Sequence, residues 1–129
     1  MTAWRTEARQ WLQAYPLQKR SVAAMEQQIQ ILRDSLRFAG SDEKALEVME
    51  RVVALSQQLA QTRRWLELVD KTLEALPSKD RELLRQICMD TKPNSVDRYC
   101  MERLLARSTV YRNCRQAMGR FVSAMYGQV

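Results

Sequence analysis

The sequence contains no histidine and only three cysteines in 129 residues: Cys88, Cys100 and Cys114. The cysteines are widely spaced and no histidine can complete a zinc ligand set, so we expect buried thiols in a reducing compartment. The chain also lacks a glycine-rich phosphate loop, and its carboxylates follow helix surfaces at salt-bridge spacing. The sequence therefore indicates neither an enzyme nor a metal or cofactor site.

Glycine and proline are also scarce, with three residues of each. So few turn formers in a chain rich in Leu, Ala, Gln, Arg, Glu and Met predict an all-α protein with one modest core. No run of eighteen apolar residues and no charged-then-apolar leader is present, so we expect no membrane span and no secretory signal. The expected location is the cytoplasm.

Acidic residues are missing from the last part of the chain. Residues 1–76 hold eleven Lys/Arg and ten Asp/Glu, whereas residues 77–129 hold ten and five, so the net charge is +1 in the first part and +5 in the second. From Arg103 onwards there are five arginines and no Asp or Glu. The C-terminal part is therefore the one expected to face a polyanion.

Two heptad patterns precede the basic part. The first comprises Val22, Met25, Ile29, Leu32, Leu36 and Ala39, and the second comprises Ala45, Val48, Val52, Leu55, Leu59, Thr62, Leu66, Val69, Leu73 and Leu76. Steps of three and four residues indicate a coiled-coil seam. Gly40 is placed to close the first helix, and Ser41 or Asp42 to cap the second. So short a connection predicts an antiparallel coiled-coil helical hairpin.

A short aromatic helix is expected before the hairpin. Trp4, Ala8, Trp11 and Tyr15 share one helical face, and we expect this helix to end before Pro16, because proline lacks the amide that a helix interior needs. The aromatic face packs against helices of the same chain or forms an association surface. The sequence leaves both alternatives open.

The C-terminal segment 106–127 has the pattern of an amphipathic helix. Val110, Cys114, Ala117, Phe121 and Met125 recur at helical spacing, and Ser108, Arg112, Arg115, Gln116 and Ser123 fall opposite them, with Thr109 and Tyr111 at the flanks. A cationic outer stripe with short hydroxyl residues in the first turn suits a helix that lies in a DNA major groove. The alternative is a basic helix that only covers a core.

Two shorter helices are expected between the hairpin and the basic helix. Pro77 suits a helix start, residues 91–95 form a turn cluster, and a short link at Leu105 and Ala106 leads into the basic helix. Three helices, the last one cationic, match the helix-turn-helix plan. The predicted domains are a hairpin with its aromatic helix at 1–76 and a helix-turn-helix module at 77–129.

The motifs LPSKDRELL, RSTVYR, AMGRF and AMYG resemble the DNA-reading C-terminal region of the sigma-70 family. The resemblance is closer still to small phage-type regulators of the ArpU/RinA kind, which join such a module to an N-terminal helical hairpin. It implies a phage or prophage regulator of transcription that can contact RNA polymerase as well as DNA.

The resemblance also implies which residues read bases, namely Arg107, Ser108, Tyr111 and Arg112. Together with the outer-face residues, the expected DNA contacts are Arg107, Ser108, Thr109, Tyr111, Arg112, Arg115 and Gln116, with Lys79 and Arg98 near phosphates. The chain departs from the pattern at Arg103, which stands where a leucine is usual. Leu104 stands in place of a turn residue, and Ala106 replaces a hydroxyl cap.

A second interpretation assigns the chain to DNA packaging. In a phage small terminase subunit, the same hairpin would drive a ring and the basic module would grip double-stranded DNA. Self-association would use the hairpin or the Trp4/Trp11 face. The sigma-like motif favours the regulator.

Overall fold

The chain is described by a computed structural model, which covers residues 3–90 and 92–127. The regular secondary structure of these residues is entirely helical, without a strand. The helices are α1 (Ala3–Ser35), α2 (Asp42–Glu74), α3 (Ser78–Leu84), α4 (Ser95–Arg103) and α5 (Arg107–Gly127). A 3-10 turn at Leu36–Phe38 follows α1, and a π-helical stretch at Arg85–Met89 continues α3. The predicted all-α fold is confirmed.

The described residues form two compact units. The hairpin unit comprises residues 18–66, and the C-terminal unit comprises residues 1–17 together with 67–129. The start of α1 and the end of α2 therefore belong to the same unit as α3, α4 and α5. The division at residue 76 stays a prediction.

The hairpin unit has a narrow core between α1 and α2. Met25, Ile29, Val52 and Leu59 are buried there, with Val22, Leu32, Val48 and Leu55 packed around them. Every predicted seam position in this unit is buried or half-buried. An ion pair between Glu26 and Arg63 bridges the helices beside the seam. The predicted helical hairpin is confirmed.

The turn of the hairpin follows the residues expected to form it. Gly40 adopts a positive φ of 77°, which an L-residue with a side chain disfavours. Ser41 Oγ then accepts a hydrogen bond of 3.2 Å from the backbone N–H of Lys44. This bond satisfies one of the unpaired amides at the start of α2.

The expectation that the aromatic helix ends before Pro16 is wrong. Pro16 lies inside α1, which runs without a break from Ala3 to Ser35. A proline there removes one helix hydrogen bond and costs about 3 kcal/mol. Leu12 is fully buried four residues earlier, and Tyr15 Oη donates a hydrogen bond of 2.6 Å to Asp70 Oδ1. These interactions offset the cost and keep the segment helical.

The core of the C-terminal unit lies around α5. The most deeply enclosed side chains are Leu12, Val69, Thr72, Leu73, Leu84, Val110 and Phe121. They come from the start of α1, the end of α2, and from α3 and α5. Trp4 and Trp11 are half-buried and border a small gap with Phe121 and Met125. The aromatic face therefore packs within its own chain, which was one of its two expected uses.

Candidate nucleic-acid interface

Helix α5 has one buried face and one exposed face. Val110, Cys114, Ala117, Phe121 and Met125 are buried as predicted, and Met118 joins them. Ser108, Tyr111, Arg112, Arg115 and Gln116 are exposed, whereas Thr109 is half-buried. The face assignment from helical spacing is confirmed. The polar face is therefore open to a partner, while the opposite face is held by the core.

A tight turn between α4 and α5 positions the exposed face. Leu104 adopts a left-handed conformation with φ of 54° and ψ of 45°, and its side chain is 91% exposed. The backbone N–H of Leu105 then donates a hydrogen bond of 3.0 Å to the carbonyl of Cys100. Helices commonly end in this way, with a left-handed residue that is usually glycine. Leu104 therefore occupies the turn position and contributes nothing to the core.

The start of α5 has no acidic residue in its first turn. Ala106 precedes it and accepts a hydrogen bond of 3.1 Å from Val110 through its carbonyl, but its methyl group cannot cap an amide. The amides of the first residues of a helix lack intrahelical acceptors, and such an end attracts anions. This helix end is thus suited to an anion, beside the positions that were expected to read bases.

Ion pairs divide the arginines of α4 and α5 into two groups. Four of them pair with carboxylates: Arg98 with Asp90 at 3.1 Å, Arg103 with Glu82, Arg107 with Asp97, and Arg120 with Asp80 at 2.8 Å. Arg112 and Arg115 have no carboxylate partner within the described residues. These two guanidinium groups are therefore the ones available on α5 to an incoming polyanion.

The pairing of Arg107 changes its expected role. Its hydrogen bond with Asp97 raises the pKa of the guanidinium above its ordinary value. The pair lies on the surface, where solvent screening leaves such pairs little effect on stability. A DNA phosphate could therefore replace Asp97 at small cost. Arg107 remains a candidate contact, but one that has to exchange partners first.

Lys79 and Arg98 lie outside α5. Lys79 is exposed in the first turn of α3, and Arg98 lies on α4, where it donates to Asp90. A backbone hydrogen bond from Lys92 and then the bond from Arg98 lower the pKa of Asp90. Of the two residues expected near phosphates, Lys79 is thus the one without a carboxylate partner among the described residues.

The cysteines behave as buried apolar residues. Cys88 and Cys114 are buried and Cys100 is half-buried, and all three are free thiols. Burial raises the pKa of Cys114 to about 12, and burial also raises that of Cys88. The predicted burial of Cys114 is confirmed. The described residues include no group of His, Cys, Asp or Glu that could hold a metal ion.

Sequence reasoning missed two arginines beside this surface. Arg5 and Arg9 of α1 line a cleft together with Arg115 of α5. A signal was present, because residues four apart lie on the same side of a helix. The aromatic residues of the first helix gave it an expected role that left these arginines unassigned. The basic surface therefore extends beyond the predicted residues.

Comparisons with family models, with characterised proteins and with solved structures find no match to this chain. None of the helices in the described residues is both long and apolar enough to cross a membrane.

Proposed function

We propose that the protein is a sequence-specific DNA-binding regulator of transcription. The observation that carries the proposal is the outer face of α5. Arg112 and Arg115 are exposed there without carboxylate partners in the described part of the chain, beside exposed Ser108, Tyr111 and Gln116. An exposed polar helix, held by its apolar face and following a tight turn, fits the second helix of a helix-turn-helix.

In this proposal α5 enters the major groove with its N-terminal half. The Arg112 guanidinium pairs with the O6 and N7 acceptors of a guanine, and the Gln116 amide pairs with an adenine edge. Phosphate contacts position the helix without reading sequence. Lys79, and Arg107 after exchange from Asp97, supply such contacts in this arrangement.

The regulatory part of the proposal rests on the sequence resemblance. Regulators of the ArpU/RinA kind join a sigma-like module to a helical hairpin, and the hairpin fold of residues 18–66 is consistent with that plan. By this resemblance the protein is encoded by a phage or prophage and contacts RNA polymerase as well as DNA. The hairpin then serves assembly or polymerase contact.

Selection of bound fragments from random duplex DNA tests the proposal. The expected result is enrichment of a short shared sequence, because base-edge contacts discriminate each position by about 1–3 kcal/mol. Binding should also weaken as salt rises, since phosphate contacts release counterions. Enrichment of no shared sequence, with binding that depends on salt alone, would reduce the protein to a nonspecific DNA binder.

A second candidate function is DNA packaging as a small terminase-like assembly protein. The observation that favours it is the outer surface of the hairpin unit, where Ile31, Leu46, Met49 and Val53 are exposed apolar residues. A contiguous apolar patch indicates association, and Leu46, Met49 and Val53 lie three and four residues apart on one side of α2. The mass in solution separates the two functions, because a monomer or dimer fits the regulator and a ring of many copies fits packaging.

A further inference from the structure

A cleft of about 300 Å³ lies between the first turns of α1 and the middle of α5. Among the described residues, the cleft is lined by Arg5, Thr6, Arg9, Arg115 and Met118. Three of these five residues are arginines, and none is acidic. Two helices that are distant in sequence thus both contribute arginines to the lining of one cleft.

The Nε atom of Arg5 is buried and donates to no acceptor within the described residues. A buried donor without a partner costs free energy, and more so when it carries charge. The guanidinium of Arg5 also lies over the Trp4 ring, 5.1 Å from its centroid. This stacking orients the guanidinium, because a ring face attracts a cation.

The other two arginines of the cleft also have no carboxylate partner in the described part of the chain. Elsewhere in the C-terminal unit, Arg98, Arg103, Arg107 and Arg120 each pair with an Asp or Glu. The arginines of the cleft therefore carry positive charge that no ion pair within the described residues neutralises. An anion with several oxygens is attracted to this charge and can accept hydrogen bonds from the exposed side chains of Arg9 and Arg115.

We propose that this cleft binds a phosphate group of the DNA backbone. The inference rests on the proposed function and deepens it. Arginine suits a phosphate because its fork of N–H groups can donate to two oxygens at once. Arg115 lies three residues from Arg112, so the two are neighbours on the helix surface. A phosphate held at the cleft therefore lies next to the groove that α5 reads.

In this arrangement, α1 takes part in DNA binding. Its N-terminal turns clamp the backbone, which fixes the register of α5 on the duplex without adding sequence information. Residues before the hairpin are thereby part of the DNA-binding surface. Removing the charge of Arg5 and Arg9 should weaken binding to all duplexes alike.

The test compares the double variant Arg5→Gln/Arg9→Gln with the wild type in the full chain. The measured quantity is the slope of log affinity against log salt, on a selected duplex and on a scrambled one. We expect the slope to become shallower by about 0.9 for each phosphate that the variant no longer neutralises. The ratio of the affinities for the selected and scrambled duplexes should stay unchanged.

A matched control removes the same charge from the same helix. Arg20 and Arg33 are exposed in the hairpin unit, so Arg20→Gln/Arg33→Gln should leave the slope at the wild-type value. Circular dichroism of all three proteins shows whether they are equally folded. If the wild type binds DNA and the folded Arg5/Arg9 variant shows the same slope, the cleft does not bind a DNA phosphate. That result would leave the proposed function standing.

A second experiment adds inorganic phosphate. It distinguishes a cleft that binds a phosphate of the DNA backbone from one that binds free phosphate. If phosphate alone stabilises the wild type but not the double variant against heat, while DNA binding is the same in both, the cleft takes a free phosphate. That result contradicts the DNA assignment. If the wild type binds no DNA at all, the proposed function fails, and this experiment still measures whether the cleft binds an oxyanion.

Discussion

Arg120 donates two hydrogen bonds from Nη1 to the carboxylate of Asp80, with distances of 2.9 Å to Oδ1 and 2.8 Å to Oδ2. The pair joins α5 to the first turn of α3. Its two ends differ in exposure, because the side chain of Asp80 is 12% exposed and that of Arg120 is 54% exposed. Arg120 thus has a structural role, although the sequence groups it with the other basic residues of α5.

This difference predicts unequal effects of breaking the pair. Arg120→Met should lower the free energy of unfolding by about 2 kcal/mol, because it leaves a buried carboxylate without its partner. Asp80→Asn should lower it by about 1 kcal/mol, since Arg120 can turn to solvent. Urea unfolding of both variants measures the difference. Equal decreases, or a larger decrease for Asp80→Asn, would contradict the assignment of the buried end.

The left-handed conformation of Leu104 predicts that a substitution at this position can stabilise the protein. A leucine with positive φ carries strain of about 1–2 kcal/mol, whereas asparagine tolerates this conformation better. Leu104→Asn should therefore raise the free energy of unfolding by about 0.5–1 kcal/mol. Met101→Asn is the control, because Met101 is also exposed but lies inside α4. Thermal unfolding compares them, and a decrease of stability in both variants would speak against strain at Leu104.

Gly119 permits a second stabilising change. A Cβ atom at this position would lie 3.7 Å from Cη2 of Trp4, which is ordinary van der Waals contact. Alanine is favoured over glycine in a helix interior by about 0.8–1 kcal/mol, so Gly119→Ala should raise the free energy of unfolding by a similar amount. Gly40→Ala, at a positive φ, should lower it. Urea unfolding compares the two variants, and destabilisation by Gly119→Ala would mean that Trp4 needs closer access to the backbone.

The bond between Tyr15 and Asp70 predicts a pH dependence. Burial, followed by this hydrogen bond, raises the pKa of Tyr15 from its ordinary value of 10.0 to about 12. The protonated phenol is the form favoured by folding, so its contribution to stability is complete below pH 10 and is lost between pH 10 and about pH 12. Tyr15→Phe removes that contribution, which we take as about 1 kcal/mol for a half-exposed bond to a carboxylate.

The measurement is urea unfolding of the wild type and of Tyr15→Phe from pH 8 upwards, within the range where both fold. The difference between their free energies of unfolding should be constant below pH 10 and should shrink as the phenol ionises. A difference that stays the same across the alkaline range would show that the bond to Asp70 does not hold the proton.

Much of the fold could be predicted from the sequence, because the spacing of apolar residues indicates which side of a helix is buried. Met25, Ile29, Val52 and Leu59 were placed in the seam by spacing, and they form the core of the hairpin unit. The continuation of α1 through Pro16 could not be predicted in the same way. A proline disfavours helix locally, but the energy that overrides it comes from Leu12 and from Asp70, and Asp70 is fifty-five residues away from Tyr15.

The sequence predicted which residues of α5 are exposed, but not which of its arginines form ion pairs. Spacing alone shows that Arg112 and Arg115 face outwards. Spacing does not show that Arg107 pairs with Asp97 or Arg120 with Asp80, because those partners lie on other helices. The cleft lined by Arg5 and Arg9 could not be predicted for the same reason, because it forms where α1 packs against α5.

In the proposed function, α5 reads bases through Arg112. The most direct test of this role is the affinity of the wild type and of Arg112→Ala for the selected duplex and for a scrambled one, measured by fluorescence anisotropy at one salt concentration. We expect Arg112→Ala to weaken binding to the selected duplex by about 1–3 kcal/mol and to reduce discrimination by the same amount. Arg64→Ala, an exposed arginine of the hairpin unit, should leave discrimination intact. If Arg112→Ala discriminates between the two duplexes as well as the wild type does, α5 does not read sequence through this residue.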